Sequence, residues 1–353
     1  MASPVKDNSP SLERFISAHL VGREHEFRRT EKPQNHEALV QAALRRKKVQ
    51  VQSVDSRNRN FTFGTDVIGG MDRMVTTLVS DLARRVSADK WLSKKQFELQ
   101  GLPVPAGQEF SAADVSDAAH FMRSLTGDAV LKPATARSGR GITLGIRTAE
   151  DLEQAWPRAL EARLSGEGAR QTVLLEEHRE GLDMRIFVVG EQAVSVLVRV
   201  PTYVVGDGRS TLRQLLDSQS RLRSAHRHLA AHTPEIAEDE LNSQGLTFEA
   251  ALGLGEVRVL REQANIREGG LPVDVTDQTH DSLKELAVEA LWSIPGLAAG
   301  AVDLLVPDHR SAEGAAVLEV NAGASIVPHR YPAYGKPRSV AERIADQILL
   351  RRA

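Results

Sequence analysis

The chain has 353 residues and a mass of 38.6 kDa, and 45 basic against 47 acidic side chains leave a net charge of −2. That balance gives no general attraction for nucleic acid or an anionic membrane, and the length suits two or three lobes with cores of their own. Cysteine is absent, which excludes disulfides, thiol nucleophiles and every thiolate-ligated metal; the basic residues divide into 35 Arg and only 10 Lys, so an isolated Lys carries information.

Residues 1–34 read as a loose polar tail with a short helix, lacking the apolar run of a secretory leader. The longest nearly apolar stretch, 296–306, is too short to cross a bilayer and contains Asp303, so a cytoplasmic protein without a membrane partner is expected. Residues 35–88 read as a small α/β lobe: a helix over 36–48, the strand VQVQSV, a hairpin turning at Gly64 and an amphipathic helix over 71–87. Residues 89–188 begin with a helix over 90–100, a Pro-rich exit and a helix after Ser111. The strand AVLKPA, a Gly-rich turn, the strand GITLGI, a helix from Thr148 and the strand TVLLEEH follow. Strand-rich sequence begins with MRIFVVG, and residues 189–353 form the last lobe. Within it, 212–240 reads as one long charged helical segment. Its His226 and His228 are two apart and share no helix face, which favours a solvated Arg/His face over a metal site.

Three pieces carry chemistry. In VLKPATARSGRGI a strand delivers Lys132 into a turn whose Ser138, Gly139 and Gly141 let backbone N–H groups approach an anion. No GK[ST] follows, and the next element is a strand, so this is not a Walker loop. In the second piece, residues 299–323, two apolar strands hold Asp303 in the first and Glu319 and Asn321 in the second. Glu319 and Asn321 share a strand face, and acids inside apolar strands need a partner. Two carboxylates with an amide oxygen suit Mg²⁺; the alternative is a carboxylate held by an Arg. In the third piece, residues 172–190, Glu176 and Glu177 end one strand while Asp183 and Arg185 open the next, a spacing that can hold both ends of a nucleoside.

The order Lys90, Lys132, Glu176/Glu177, Asp183, Asp303, Glu319, Asn321 resembles that of the ATP-grasp carboxylate–amine ligases. The resemblance is nearest to the ligase part of bifunctional glutathione synthetase and the ATP-grasp domain of cyanophycin synthetase. It rests on DKWLSKKQFELQGLPVP, VVGDGRSTLRQLL, LREQANIREGGLPVDVTD and LEVNAGASIVPHRYPAYGKPRSVA, and covers about residues 35–353, as a free-standing ligase unit. It implies an α+β ATP-grasp fold with a small N-terminal lobe, a central lid and a metal-bearing C-terminal lobe. It also implies that Lys90 and Lys132 contact ATP phosphates and that the turn 134–141 closes over them. Glu176, with the backbone at Glu177 and His178, would meet adenine, and Asp183 the ribose. Asp303, Glu319 and Asn321 would hold two Mg²⁺ ions, with Mn²⁺ as a substitute. Arg199, Arg261 and Arg185 would serve the acyl phosphate, and Asn265, Gly269 and Gly270 the acceptor.

The expected activity joins a small carboxylate to an amino-acid or peptide amine, with release of ADP and phosphate, in a homodimer. The alternatives are, within the fold, a carboxylate kinase or a ligase using a non-amino-acid nucleophile and, from another class, a non-catalytic nucleotide-binding regulator. Where the relatives carry a Pro-Gly segment after the metal-binding Asn, this chain reads Asn321-Ala322-Gly323-Ala324-Ser325-Ile326. Ser325 and His329 are expected to line the substrate pocket, whose specificity does not carry over.

Overall fold

The computed structural model describes residues 10–136, 139–162 and 172–351. Four antiparallel strands, β1 (Gln50–Ser53), β2 (Asn58–Phe63), β3 (Asp66–Asp72) and β4 (Val75–Thr76), form a meander after the helix His36–Arg46. The expected hairpin turns at Gly64, with φ +62°. The expected helix over 71–87 does not form as a unit. The chain stays in β3 to Asp72, reverses through Arg73 at φ +53°, and pairs β4 back onto β3. The helix starts only at Asp81, after Ser80 accepts the N–H of Ala83 as its cap.

A second antiparallel sheet has the order β5 (Gly107–Ser111), β8 (Thr172–Glu177), β6 (Ala129–Pro133), β7 (Thr143–Ile146). Sequence reading passed over β5, because its polar GQEFS follows a Pro-rich run and buries only Phe110. Helices Val115–Met122 and Ala149–Glu161 cover one face of this sheet; Thr148 and Asp151 close the second helix's N-terminus with a capping box.

The third sheet has five antiparallel strands in the order β13 (Leu271–Asp274), β10 (Gln192–Val200), β9 (Leu182–Val189), β14 (Ala299–Val306), β15 (Ala316–Asn321). Thus β9, which straddles the expected boundary at 188, is the central strand of this sheet. Alternation on β9 decides what covers each face. Met184, Ile186 and Val188 point toward the helix Asp281–Trp292, whereas Phe187 and Val189 meet His36–Arg46 and the C-terminal helix Val340–Leu350. The expected short helix of the N-terminal segment is Ser11–His19, and it and its exit bury Phe15, Ile16, Leu20 and Phe27 in the same core as Met184. The expected long helix over 212–240 breaks into Leu212–Ser224, Arg227–Ala230 and Glu238–Asn242, and a two-stranded ribbon pairs β11 (Tyr203–Val205) with β12 (Val257–Val259). His226 is fully buried against Phe27 rather than solvated.

Burial pushes the imidazoles of His36 and His309 down to about 4 and that of His329 to about 3. Each is therefore neutral when folded but takes up a proton below its ordinary value of 6.5 once unfolded. Because the unfolded chain binds more protons, stability should fall as pH drops from about 6.5 toward 4 and be flat above. The loss by pH 5 is on the order of 1–2 kcal/mol per histidine. Urea midpoints at pH 7 and pH 5 check this, with His309→Leu flattening the slope; equal midpoints in the parent protein would contradict it.

Candidate active site

One helix links the second and third sheets. Asp89 caps Lys90–Leu99 by accepting the Leu92 N–H at 3.0 Å, which places Lys90 in the first turn and Lys94 one turn on, along the same face. Lys90 Nζ lies 3.4 Å from Glu319 on β15 and donates to the Ala136 carbonyl at 3.0 Å. Lys94 Nζ donates to Glu176 on β8 at 3.1 Å and to the Pro105 carbonyl.

On the second sheet, alternation sends Leu131, Val173 and Leu175 into the core and leaves Lys132 and Glu176 on the face without helices. The two form an ion pair there. Gly107 lies opposite Glu176, and a Cβ on it would fall 2.5 Å from Glu176 Cγ, so a glycine makes room for this carboxylate. Burial alone would raise the Glu176 carboxyl; Lys132 and Lys94 outweigh it and hold the group below its ordinary range. Burial lowers Lys94 in turn, against the pull of Glu176. The expected nucleobase edge is therefore an acid clamped by two lysines. The N–H groups of Glu177 and His178 donate to the carbonyls of Ala106 and Asp128, each at 2.8 Å, and the Glu177 carboxylate accepts from Arg179 at 3.1 Å. Gly139 and Gly141 adopt φ of +75° and +74°, and a Cβ on Gly141 would strike Ala162, so this side of the turn is built close to a helix end. Ser138 lies outside the described residues.

On the third sheet, Asp183 and Arg185 of β9, Arg199 of β10, Asp303 of β14, and Glu319 and Asn321 of β15 converge. Arg185 is in register with Asp303, and Asp303 with Glu319. Arg185 donates to both Asp303 oxygens at 2.7 Å; Arg199 reaches Asp303 at 3.0 Å and Asp183 at 2.5 and 2.9 Å. Asp303 is thus a buried carboxylate held by arginines, the alternative that sequence reading left open, and Asp183 belongs to the same cluster. Asn321 donates to Glu319 at 3.0 Å. Against the cost of burial, Lys90, the Asn321 amide and both arginines hold the Glu319 carboxyl far below its usual range. For Asp183, burial and the Asp303 charge outweigh Arg199 and raise its carboxyl. Three carboxylates and, with Lys90, three cations balance the charge.

No group of three or more His, Cys, Asp or Glu side chains gathers for a metal among the described residues. The donor set of Asp303, Glu319 and, after an amide flip, Asn321 Oδ1 is nevertheless all oxygen, which fits a hard cation such as Mg²⁺.

The remaining expected residues lie around this centre. His329 is fully buried, with Nδ1 2.8 Å from Ser195 Oγ and its ring edge-on to Phe187 on β9. Ser325 Oγ accepts the Val327 N–H at 3.3 Å, at the start of the short helix Val327–Arg330. Asn265 caps the turn Ile266–Glu268, and a Cβ on Gly270 would fall 2.1 Å from the Ala264 carbonyl, so both shape this loop. Gly269 follows at φ +102°. Arg261 makes a bidentate pair with Glu240 at 2.9 and 3.0 Å and donates to the Glu235 carbonyl, with no contact to the Arg185–Asp303 cluster. Sequence reading missed Lys94; its spacing of four from Lys90, in a chain with so few lysines, was the available signal.

No family model matches the chain. It is 30% identical over 277 residues to a cyanophycin synthetase of Synechocystis sp., covering 76% of this chain and 31% of that protein. To the glutathione biosynthesis bifunctional protein GshAB of Pasteurella multocida it is 29% identical over 291 residues, covering 78% and 37%. The chain therefore spans about a third of the length of these relatives. The crystal structure of a bifunctional glutathione synthetase from Pasteurella multocida superposes with a TM-score of 0.62 at 24% identity, over 88% of this chain and 44% of that one. The fold is the expected α+β ATP-grasp fold, and the resemblance read in the sequence is one of homology.

Proposed function

We propose that the chain is an ATP-dependent ligase that joins a carboxylate to the amine of an amino acid or short peptide, with ADP and phosphate as products. The observation that carries this reading is the single helix face on which Lys90 and Lys94, one turn apart, reach the Glu319 and Glu176 clusters on two different sheets. A molecule with a base at one end and a polyanion at the other is bound across such a span, with Lys132 and Lys90 toward its phosphates. The acceptor carboxylate attacks the terminal phosphorus and ADP departs. The amine then attacks the acyl carbon, loses its proton to solvent and expels phosphate. In this reading Arg185 and Arg199 donate to the oxyanion of that second step. Mg²⁺ held by Asp303, Glu319 and Asn321 would supply countercharge to the phosphates.

The experiment is a screen of pairs of amino acids and γ-glutamyl compounds with MgATP, reading ADP and the new amide by mass spectrometry. Amide formation coupled to ADP is expected. ADP released without any amine present would instead establish a carboxylate kinase, and ATP binding without hydrolysis in every pool a regulator. The resemblance further suggests a cytoplasmic homodimer, which sedimentation checks against the 38.6 kDa monomer mass. Among the described residues no helix is long and apolar enough to cross a membrane.

A further inference from the structure

Arg223, near the end of helix Leu212–Ser224, is only 3% exposed, and no carboxylate pairs with it among the described residues. Its Nη1 donates to the Gly269 carbonyl at 2.8 Å and its Nη2 to the His232 carbonyl at 3.1 Å, while Nε has no partner. Burial lowers this guanidinium to about 10. A buried cation with neutral partners and a free donor is costly unless an anion completes it. Thr202, 5% exposed, presents a second unpartnered donor, its hydroxyl.

Both residues line one open recess with Pro201, Pro234, Gly269 and Leu271, of about 10 Å³, which admits one water-sized polar atom such as a carboxylate oxygen. A Cβ on Gly269 would lie 2.6 Å from Pro234 and 2.7 Å from Thr202 Oγ1, so the glycine keeps the recess from being filled. Thr202 is three residues beyond Arg199, so their Cα atoms are no more than about 11 Å apart.

We propose that this recess is a carboxylate subsite, in which Arg223 and Thr202 hold the non-reacting carboxylate of the amino-acid or peptide substrate. What that substrate is used for rests on the ligase reading; the binding itself does not. The substrate then carries two carboxylates, one at the Arg185–Arg199 end and one here, and a molecule with a single carboxylate is a poor substrate.

The test is calorimetry without nucleotide, using glutarate, its neutral isostere glutaramide and inorganic phosphate. Saturable binding of glutarate and none of glutaramide is expected. Thr202→Val keeps the side-chain shape and removes a hydroxyl that has no protein partner, so its melting temperature should equal or exceed the parent's while glutarate binding weakens about 10-fold. Arg223→Lys, which keeps the charge but loses the Nε donor, should weaken it at least as much if it folds. Equal binding of glutarate by Thr202→Val and the parent, no saturable heat with glutarate, or binding of phosphate alone would each overturn the subsite. Glutarate binding that depends on Thr202, in a protein that forms no ADP with any substrate pair, would leave the subsite standing and remove the ligase reading. ADP formation with an unchanged KM for carboxylate substrates in Thr202→Val would do the reverse.

Discussion

Glu319→Ala is expected to lower MgATP-dependent ADP release by about 10²–10³-fold while leaving the protein folded. The carboxylate it removes is ionised at any working pH, since Lys90, the Asn321 amide and both arginines outweigh its burial. It faces Asp303 across β14 and β15 and is the one acid of the cluster that no arginine bonds directly, so it is the oxygen donor best placed to receive a cation. Its loss leaves Lys90 still bonded to the Ala136 carbonyl and the Arg185–Asp303 pair intact, which limits the cost to stability. Lys132→Ala should lower ADP release comparably for another reason: it removes a charge proposed to meet the phosphates and leaves Glu176 with Lys94 alone. A coupled ADP assay with thermal melts of both variants separates lost chemistry from lost fold. Turnover at the parent rate in Glu319→Ala would remove that residue from the site.

Period-2 alternation let Glu319 and Asn321 be placed on one strand face, and the pairing of their strand with that of Asp303 followed from two apolar runs joined by a polar hairpin. The glycine content of VLKPATARSGRGI likewise pointed to a turn after the strand of Lys132, because few other residue types tolerate the positive φ of Gly139 and Gly141. What sequence spacing does not encode is which side chain satisfies which across sheets. Lys94 lies in a plain helical pattern, and its partner Glu176 is 82 residues away. The same reason applies to Arg261, expected at the acyl phosphate, whose guanidinium pairs with Glu240. Elements failed where local pattern was ambiguous. MDRMVTTLVSDLARRVS has helical spacing throughout, yet strand pairing captured its first third.

Asp303→Ala is expected to destabilise the protein by about 3–5 kcal/mol, more than any other single change at the site. Asp303 is 2% exposed and accepts two bonds from Arg185 and one from Arg199. Without it, Arg199 keeps Asp183, whereas Arg185 keeps no acid in hydrogen-bonding reach among the described residues. The partner change decides what the pair is for. Arg185→Met with Asp303→Leu removes both charges at once and keeps the Arg199–Asp183 pair, so most of the lost stability should return, as when a buried ion pair is replaced by apolar groups of similar volume. On the proposed ligase reading ADP release should not return, because that double variant lacks both the oxygen proposed to hold a cation and the proposed oxyanion donor. Denaturant midpoints of the parent, the single variant and the double variant, beside their ADP assays, give the comparison. A double variant as unstable as Asp303→Ala would mean that Arg199 also depends on Asp303 for its place. A stable and inactive one would mean that the ion pair is retained for the chemistry it can perform rather than for the fold it sits in.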